Sequence, residues 1–175
     1  VLPFELTTPA QIAFENQGGM RKGFERRFFD PRIVGMQSFQ LGVGTNMAFR
    51  RSVLDEIGGF DPHLDVGTPS RGGGDLDALW RVLDGGFGVE YDPNAVVRHI
   101  HRRTIAELIG QHRDYGTAYR AVLERATQRA PHRRPEVRRE LRRWHWQRHV
   151  RGPIGALRRR DPLMARLLVA EAVGS

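Results

Sequence analysis

Cysteine is absent from the chain, which excludes disulfides and thiolate–metal sites and suits a reducing compartment. No apolar run approaches the roughly 18–20 residues that cross a bilayer, and no charged-then-apolar leader opens the sequence. Lysine is nearly missing too: of the 28 basic residues, all but Lys22 are arginine. Acidic residues are scarce in one half only. Residues 1–100 hold 10 Lys+Arg against 13 Asp+Glu, a net of −3, whereas residues 101–175 hold 18 against 7, a net of +11. The basic half suits nucleic acid, anionic lipid or plain solvation, and composition does not choose among them. Val1 stands where an initiator methionine would, so a piece of something longer is expected.

What is present suffices for one domain of ordinary size, with 175 residues of which 39% are hydrophobic. Thr8-Pro9 predicts a helix through "PAQIAFENQGGMRKGFERRFF", interrupted near Gly18-Gly19 and ended by Asp30-Pro31. "VGTNMAFR" (43–50) reads as a strand entered through a glycine turn, and "RSVLDEIGGF" as a short helix closed by Gly58-Gly59. The Pro, Gly and Asp content of "DPHLDVGTPSRGGG" (61–74) marks a loop. From Asp75, Leu76, Leu79, Trp80 and Leu83 fall at i, i+3, i+4, i+7, one face of a helix that Gly85-Gly86 stops. "FGVEY" and "AVVRHIH" read as short strands around the turn "DPN". Thr104 and Glu107 have capping-box spacing, predicting a helix to about Arg129. After "APHRRP" a second basic helix is expected over 136–150, then "RGPIG" and a short apolar end. The seam between a mixed α/β part (1–103) and a basic helical tail (104–175) falls near residue 103.

Three stretches could carry chemistry. In "RGGGDLDALW" an aspartate in a helix's first turn is favoured by the dipole and the free backbone N–H groups, so Asp75 reads as a plain N-cap. The run Gly72, Gly73, Gly74 argues otherwise, because three glycines cost chain entropy that a cap does not require and let a ligand approach the backbone. In "AVVRHIHRR", His99 and His101 point to one face of a strand. Such a pair can bind a metal but lacks the third and fourth ligands of a zinc site, and an ordinary polar strand end is the plainer reading of it. "GVGTNMAFRR" lacks the GxGxxG–helix–acid pattern of a dinucleotide site, so Gly44 and Asn46 read as one wall of a pocket.

The order of these pieces is more specific than any one of them. Gly44, Asn46, Met47, Ala48, Phe49 and Arg50, then Gly58, Gly59, Phe60 and Asp61, then Asp75, Asp77 and Arg81, then Gly86, Tyr91, Pro93, Ala95 and His99, follow one another in that sequence. This series resembles the later half of family 2 glycosyltransferases of GT-A fold. There a G-x-N-M-A-F-R-R strand precedes a GGFD turn, a GGEDxD helix start, R-x-x-x-x-G and Y-x-P-x-A-x-V-x-H. The resemblance is strong over about residues 40–103 and looser over 1–40 and 111–123.

The resemblance implies an α/β, partial GT-A (Rossmann-like) fold with a basic helical tail, and sugar transfer from a nucleotide-sugar to an acceptor hydroxyl, with inversion. Asp75 matches the general base of inverting members. His99 matches a histidine that helps hold a divalent cation (manganese or magnesium) on the donor diphosphate. Gly44, Asn46, Gly72, Gly73, Gly74, Asp77 and Arg81 fall on the substrate-binding side, with Asp77 bracing the helix start or pairing with Arg81 at i, i+4. A glycan or lipid-linked acceptor and a cytoplasmic chain, peripheral to the inner face of the membrane, complete the expectation.

Two departures stand out. Gly74 occupies the place of the family's usual Glu before the base, and nothing before residue 40 resembles the nucleotide-binding half that ends in D-x-D. The expectation is a chain that keeps the acceptor side, lacks the donor side and turns over little alone. In the tail, Glu140 to Trp144 reads E-x-x-R-W, similar to the Q-x-x-R-W of processive synthases but with Glu for Gln. A solvated basic helix and an Arg/Trp helix on anionic headgroups both fit that tail. Nucleic acid is disfavoured, since no recognised nucleic-acid fold accompanies the charge. A noncatalytic interaction module, or a basic membrane- or nucleic-acid-binding protein, is the alternative to an enzyme.

Overall fold

Short-range signals set most of the elements in the computed structural model, which describes residues 1–34 and 41–174. The chain divides into two compact units. One comprises Val1–Pro62 and Gly74–Ile105, the other His63–Gly73 and Ala106–Ser175. The helical unit thus starts near the seam read from the sequence, but it also claims the loop at 63–73.

In the first unit, Thr8 caps α1 (Pro9–Asn16) through a capping box with Gln11, and Pro9 occupies the first turn. The predicted helix to residue 29 ends at Asn16. Gly18-Gly19 turns the chain, Gly19 N–H bonding back to Phe14 O at 3.0 Å. The following residues form a strand instead, β2 (Arg27–Phe29), because aromatic Phe28 and Phe29 fit a pleated ribbon better than a helix. β2 pairs antiparallel with β3 (Val89–Tyr91), in register Arg27↔Tyr91 and Phe29↔Val89. β1 (Leu2–Pro3) pairs parallel with β4 (Arg98–His99). The strands read around "DPN" therefore exist, but each takes its partner from the N-terminal part of the chain. Among the described residues each sheet has two strands.

The stretch read as a strand at 43–50 is a 3-10 turn over Gly44–Asn46 followed by extended backbone, and among the described residues it joins no ladder. Its apolar residues are nonetheless packed. Met47 and Phe49 lie against a core of Leu41, Leu79 and Leu83, joined by Phe29 and Val89. Part of the stretch looser in resemblance, residues 35–40, lies outside the described residues. α2 (Pro31–Val34) precedes it and α3 (Arg51–Glu56) follows. α4 (Gly74–Asp84) buries Asp77, Ala78, Leu79, Trp80, Val82 and Leu83, so Leu79, Trp80 and Leu83 of the predicted stripe face inward with one carboxylate beside them, while Leu76 in the first turn is half-buried.

The second unit is helical: α5 (Ile105–Arg129), α6 (Arg134–His145), α7 (Gly152–Arg158) and α8 (Pro162–Gly174). A π-helical turn, Trp146–Arg151, links α6 to α7, so the predicted basic helix runs on through "RGPIG". Pro153 has no N–H to give and its ring crowds the preceding turn; the wider π turn accommodates it, with Gly152 N–H donating to Gln147 O. Asp161 caps α8, its carboxylate accepting from Met164 N–H at 2.9 Å. The E-x-x-R-W residues are structural. Glu140 accepts from Tyr119 Oη at 2.7 Å and from Arg143 at 2.9 Å, while Trp144 stacks on Tyr119. Burial, then the Glu140 bond and charge, push the Tyr119 phenol up.

α5 and α8 meet through glycine. A Cβ at Gly116 would fall on the Glu171 carbonyl, and one at Gly174 on the Arg113 carbonyl. Glu171, 3% exposed, also binds His112 Nδ1 at 3.2 Å and Arg148 Nε at 3.0 Å. Helix propensity alone would make Gly116→Ala stabilising by about 1 kcal/mol. The backbone contact reverses that sign, and the replacement should cost about 1–3 kcal/mol by overpacking. Gly110→Ala, on the same helix with open space at its Cβ, should instead raise the melting temperature. Calorimetry on the two variants checks this, and a shift of the same sign in both would refute the close-crossing account.

Candidate active site

A carboxylate in the first turn of a helix meets amides with no intrahelical partner, and at Asp75 this produces a fixed geometry. Oδ1 accepts from Leu76 N–H at 2.9 Å, and Oδ2 accepts from Gly44 N–H at 2.8 Å. Each oxygen keeps a second lone pair, and the side chain is half-buried, so the carboxylate is oriented yet open to a ligand. Gly44 is the residue that permits this approach: a Cβ there would stand 3.2 Å from both Asp75 Cβ and Oδ2. Asn46, next along the 3-10 turn, does not turn its amide to Asp75. Its Nδ2 donates to Ala95 O at 2.6 Å and ties the turn to the segment before β4.

Two residues beyond the base candidate, Asp77 is 0% exposed and paired with Arg81 Nε at 2.8 Å. Arg81 also donates from Nη1 to Ile57 O, at the end of α3. Asp77 thus takes the i, i+4 pairing with Arg81 within α4, and Arg81 carries the contact to the end of α3. The glycine run divides. Gly74 is the first residue of α4, whereas Gly72 and Gly73 belong to the helical unit, with φ of 136° and 98°. A Cβ on Gly73 would meet Val122 Cγ2 at 2.7 Å and Ala118 O at 3.1 Å, so α5 requires glycine there for packing.

The structure adds a residue that the sequence did not single out. Lys22 lies close enough to Asp75 for their charges to interact. Burial pushes its ammonium below the ordinary lysine value; the Asp75 charge opposes this, and the Arg27 guanidinium adds to it. The β2–β3 ribbon fixes that loop. Arg27 donates to Lys22 O and lies over the Phe29 and Tyr91 rings, and Tyr91 Oη donates to Gly23 O at 2.8 Å. Being the only lysine in an arginine-rich chain is the signal that could have marked it.

His99 heads a second polar chain. Its Nδ1 is 3.3 Å from His101 Nδ1, and His101 Nε2 is 2.9 Å from Glu15 Oε1 on α1, which in turn pairs with Arg21. His101 and Glu15 are buried, and Phe14 packs edge-on against the His101 ring. Burial, then the His101 and Arg102 charges, hold the His99 imidazole below its usual value. The two rings do come together as the strand periodicity implies. Sequence reading missed Glu15, whose place on the buried stripe of α1 with Ala10 and Phe14 was the available sign.

Divalent ions take four or more ligands. His99 offers at most one ring nitrogen, and among the described residues no group of three His, Asp or Glu is placed to hold a metal. These residues do not make a metal centre by themselves. Among the described residues no helix is long and apolar enough to cross a membrane.

No family model matches the chain, and no solved structure matches it. Over 67 residues it is 33% identical to the pre-mycofactocin glycosyltransferase of Mycobacterium tuberculosis strain CDC 1551 / Oshkosh. The same values hold for that protein in strain ATCC 25618 / H37Rv. The matched stretch is 38% of this chain and 13% of the relative, so the chain spans a small part of the proteins it resembles. Over that stretch the chain has a glycosyltransferase as its relative.

Proposed function

We propose that the chain carries the acceptor and base side of an inverting glycosyltransferase of GT-A type, with Asp75 as general base. The observation that carries this is the carboxylate held at the start of α4 by the amides of Gly44 and Leu76, one on each oxygen. The similarity to a glycosyltransferase supports it. In the reaction an acceptor hydroxyl gives its proton to Asp75 while its oxygen bonds the anomeric carbon of a nucleotide-sugar. The bond from that carbon to the phosphate oxygen breaks, and the nucleoside diphosphate leaves with the electron pair. Gly44 and Asn46 form the pocket wall beside the base, the Asp77–Arg81 pair keeps α4 in place, and Lys22 supplies a counter-charge to the carboxylate. A divalent cation on the diphosphate would screen its charge, and His99 would lend it one nitrogen.

Sugar transfer by the polypeptide that carries residues 1–175, measured beside Asp75→Asn, is the test. Intact transfer in the variant would favour a noncatalytic module instead. Gly44→Ala offers a gentler probe. Its methyl must push the Asp75 carboxylate by a few tenths of an ångström, and misplacements of about 1 Å cost on the order of 100-fold in rate. A drop of about tenfold in kcat with little change in melting temperature is expected. An unchanged kcat would remove Gly44 from the positioning of the base.

A further inference from the structure

Helical residues 141–160, "LRRWHWQRHVRGPIGALRRR", contain no acid between Glu140 and Asp161 and are rich in arginine. Arg143 and Arg148 are drawn inward to Glu140 and Glu171. Arg151, Arg158 and Arg159 are exposed and line an open groove with Trp146 and Ile154. Beside them large apolar side chains face solvent: Trp146 is 59% exposed, Ile154 47% and Leu157 80%. Arg160 extends the basic run at φ 52°, a left-handed position after α7 that favours glycine. Exposed arginines beside apolar side chains left in water have the pattern of an interfacial helix.

We propose that the α6–π–α7 stretch docks on an anionic lipid bilayer, with Trp146, Ile154 and Leu157 entering the headgroup boundary and Arg151, Arg158 and Arg159 on lipid phosphates. The occupant follows from charge and chemistry. Guanidinium groups pair with phosphate, which both a bilayer and a nucleic acid supply. Of these two, the bilayer is the one that offers hydrocarbon to exposed Ile154 and Leu157, since a nucleic acid would need aromatic platforms or base-edge donors at those places. The π-helical turn helps by letting the helix continue past Pro153, which keeps Trp146 and Ile154 on the same groove. This proposal does not depend on the transfer reaction and stands or falls separately.

The absence of cysteine makes the test direct. Leu157→Cys gives the full chain a single thiol for an environment-sensitive fluorophore. With vesicles of mixed phosphatidylcholine and phosphatidylglycerol, the label should shift to the blue and the chain should sediment with them, less so as salt rises. Pure phosphatidylcholine should bind far less. Replacing Arg151, Arg158 and Arg159 together by Gln should lower partitioning on the order of 100-fold, at the usual worth of a basic residue near an anionic surface. Replacing the exposed Arg32, Arg51 and Arg98 by Gln, which removes the same net charge, should lower it less than about threefold. Circular dichroism confirms that the variants fold. The proposal is overturned by equal binding to neutral vesicles, by a label that stays in water, or by equal losses in the two triple variants. Binding of an oligonucleotide without vesicle binding would overturn it in favour of nucleic acid.

Discussion

Asp75→Asn should lower kcat by about 10²–10⁴-fold, the usual worth of a positioned general base, and leave the KM for donor nearly unchanged. The amide is isosteric, so no cavity opens, and the loss reports the missing base together with one lost amide contact. It equals about 3–5 kcal/mol of transition-state stabilisation, at about 1.4 kcal/mol per tenfold. Asparagine can still accept one of the two amide protons through Oδ1, but its Nδ2 then faces the other N–H with no lone pair to offer. The pH–rate profile separates the roles. A base gives an acidic limb that disappears in the variant, whereas a carboxylate that only binds acceptor raises KM and leaves that limb in place. A variant within about threefold of wild type in kcat would end the base assignment for Asp75.

Asp77→Ala should destabilise the first unit by about 3–5 kcal/mol. The replacement strands the Arg81 guanidinium, 11% exposed in its side chain, inside the α4 packing. One of its nitrogens, Nη2, already has no hydrogen-bond partner among the described residues. At about 2–4 °C per kcal/mol for a chain of this size, the melting temperature should fall by about 6–20 °C. Replacing both partners with apolar residues, Asp77→Leu with Arg81→Met, should recover most of that, because neither buried charge is then left alone. A fall of less than about 2 °C in Asp77→Ala would show that the pair braces nothing. The two aspartates of α4 should thus separate by readout, Asp75→Asn in rate and Asp77→Ala in melting temperature.

How far these features could be read in advance depended on range. The α4 stripe was legible because Leu79, Trp80 and Leu83 repeat at helical spacing and no distant contact overrides them. Asp77 inside that stripe could be foreseen only as an i, i+4 partner of Arg81; its complete burial comes from packing. The strand expected at 43–50 shows the opposite case. Met47 and Phe49 alternate inward as a strand would, but a ladder also needs a neighbouring backbone, and alternation carries no information about one. Phe28 and Phe29 read as helix only when the pattern before Gly18 is extended across it. Lys22 beside Asp75 and Glu15 beside His101 are pairings made by the fold across distant positions, so periodicity could not join them. Asp75 was singled out through its setting among neighbouring motifs, while the amide from Gly44 that orients its carboxylate required the fold.

The loop at 63–73 has a consequence for how this chain can be cut and recombined. Gly73 lies against Ala118 and Val122 of α5, and Arg71 reaches Asp114 at 3.4 Å, so this early segment is clothed by α5. A truncation at residue 103 would strip that cover from residues 63–73. Equally, grafting a foreign tail would bring side chains never matched to Gly73. The helical tail and the loop at 63–73 therefore form one unit of exchange, and a sequence swap that respects the fold must carry both.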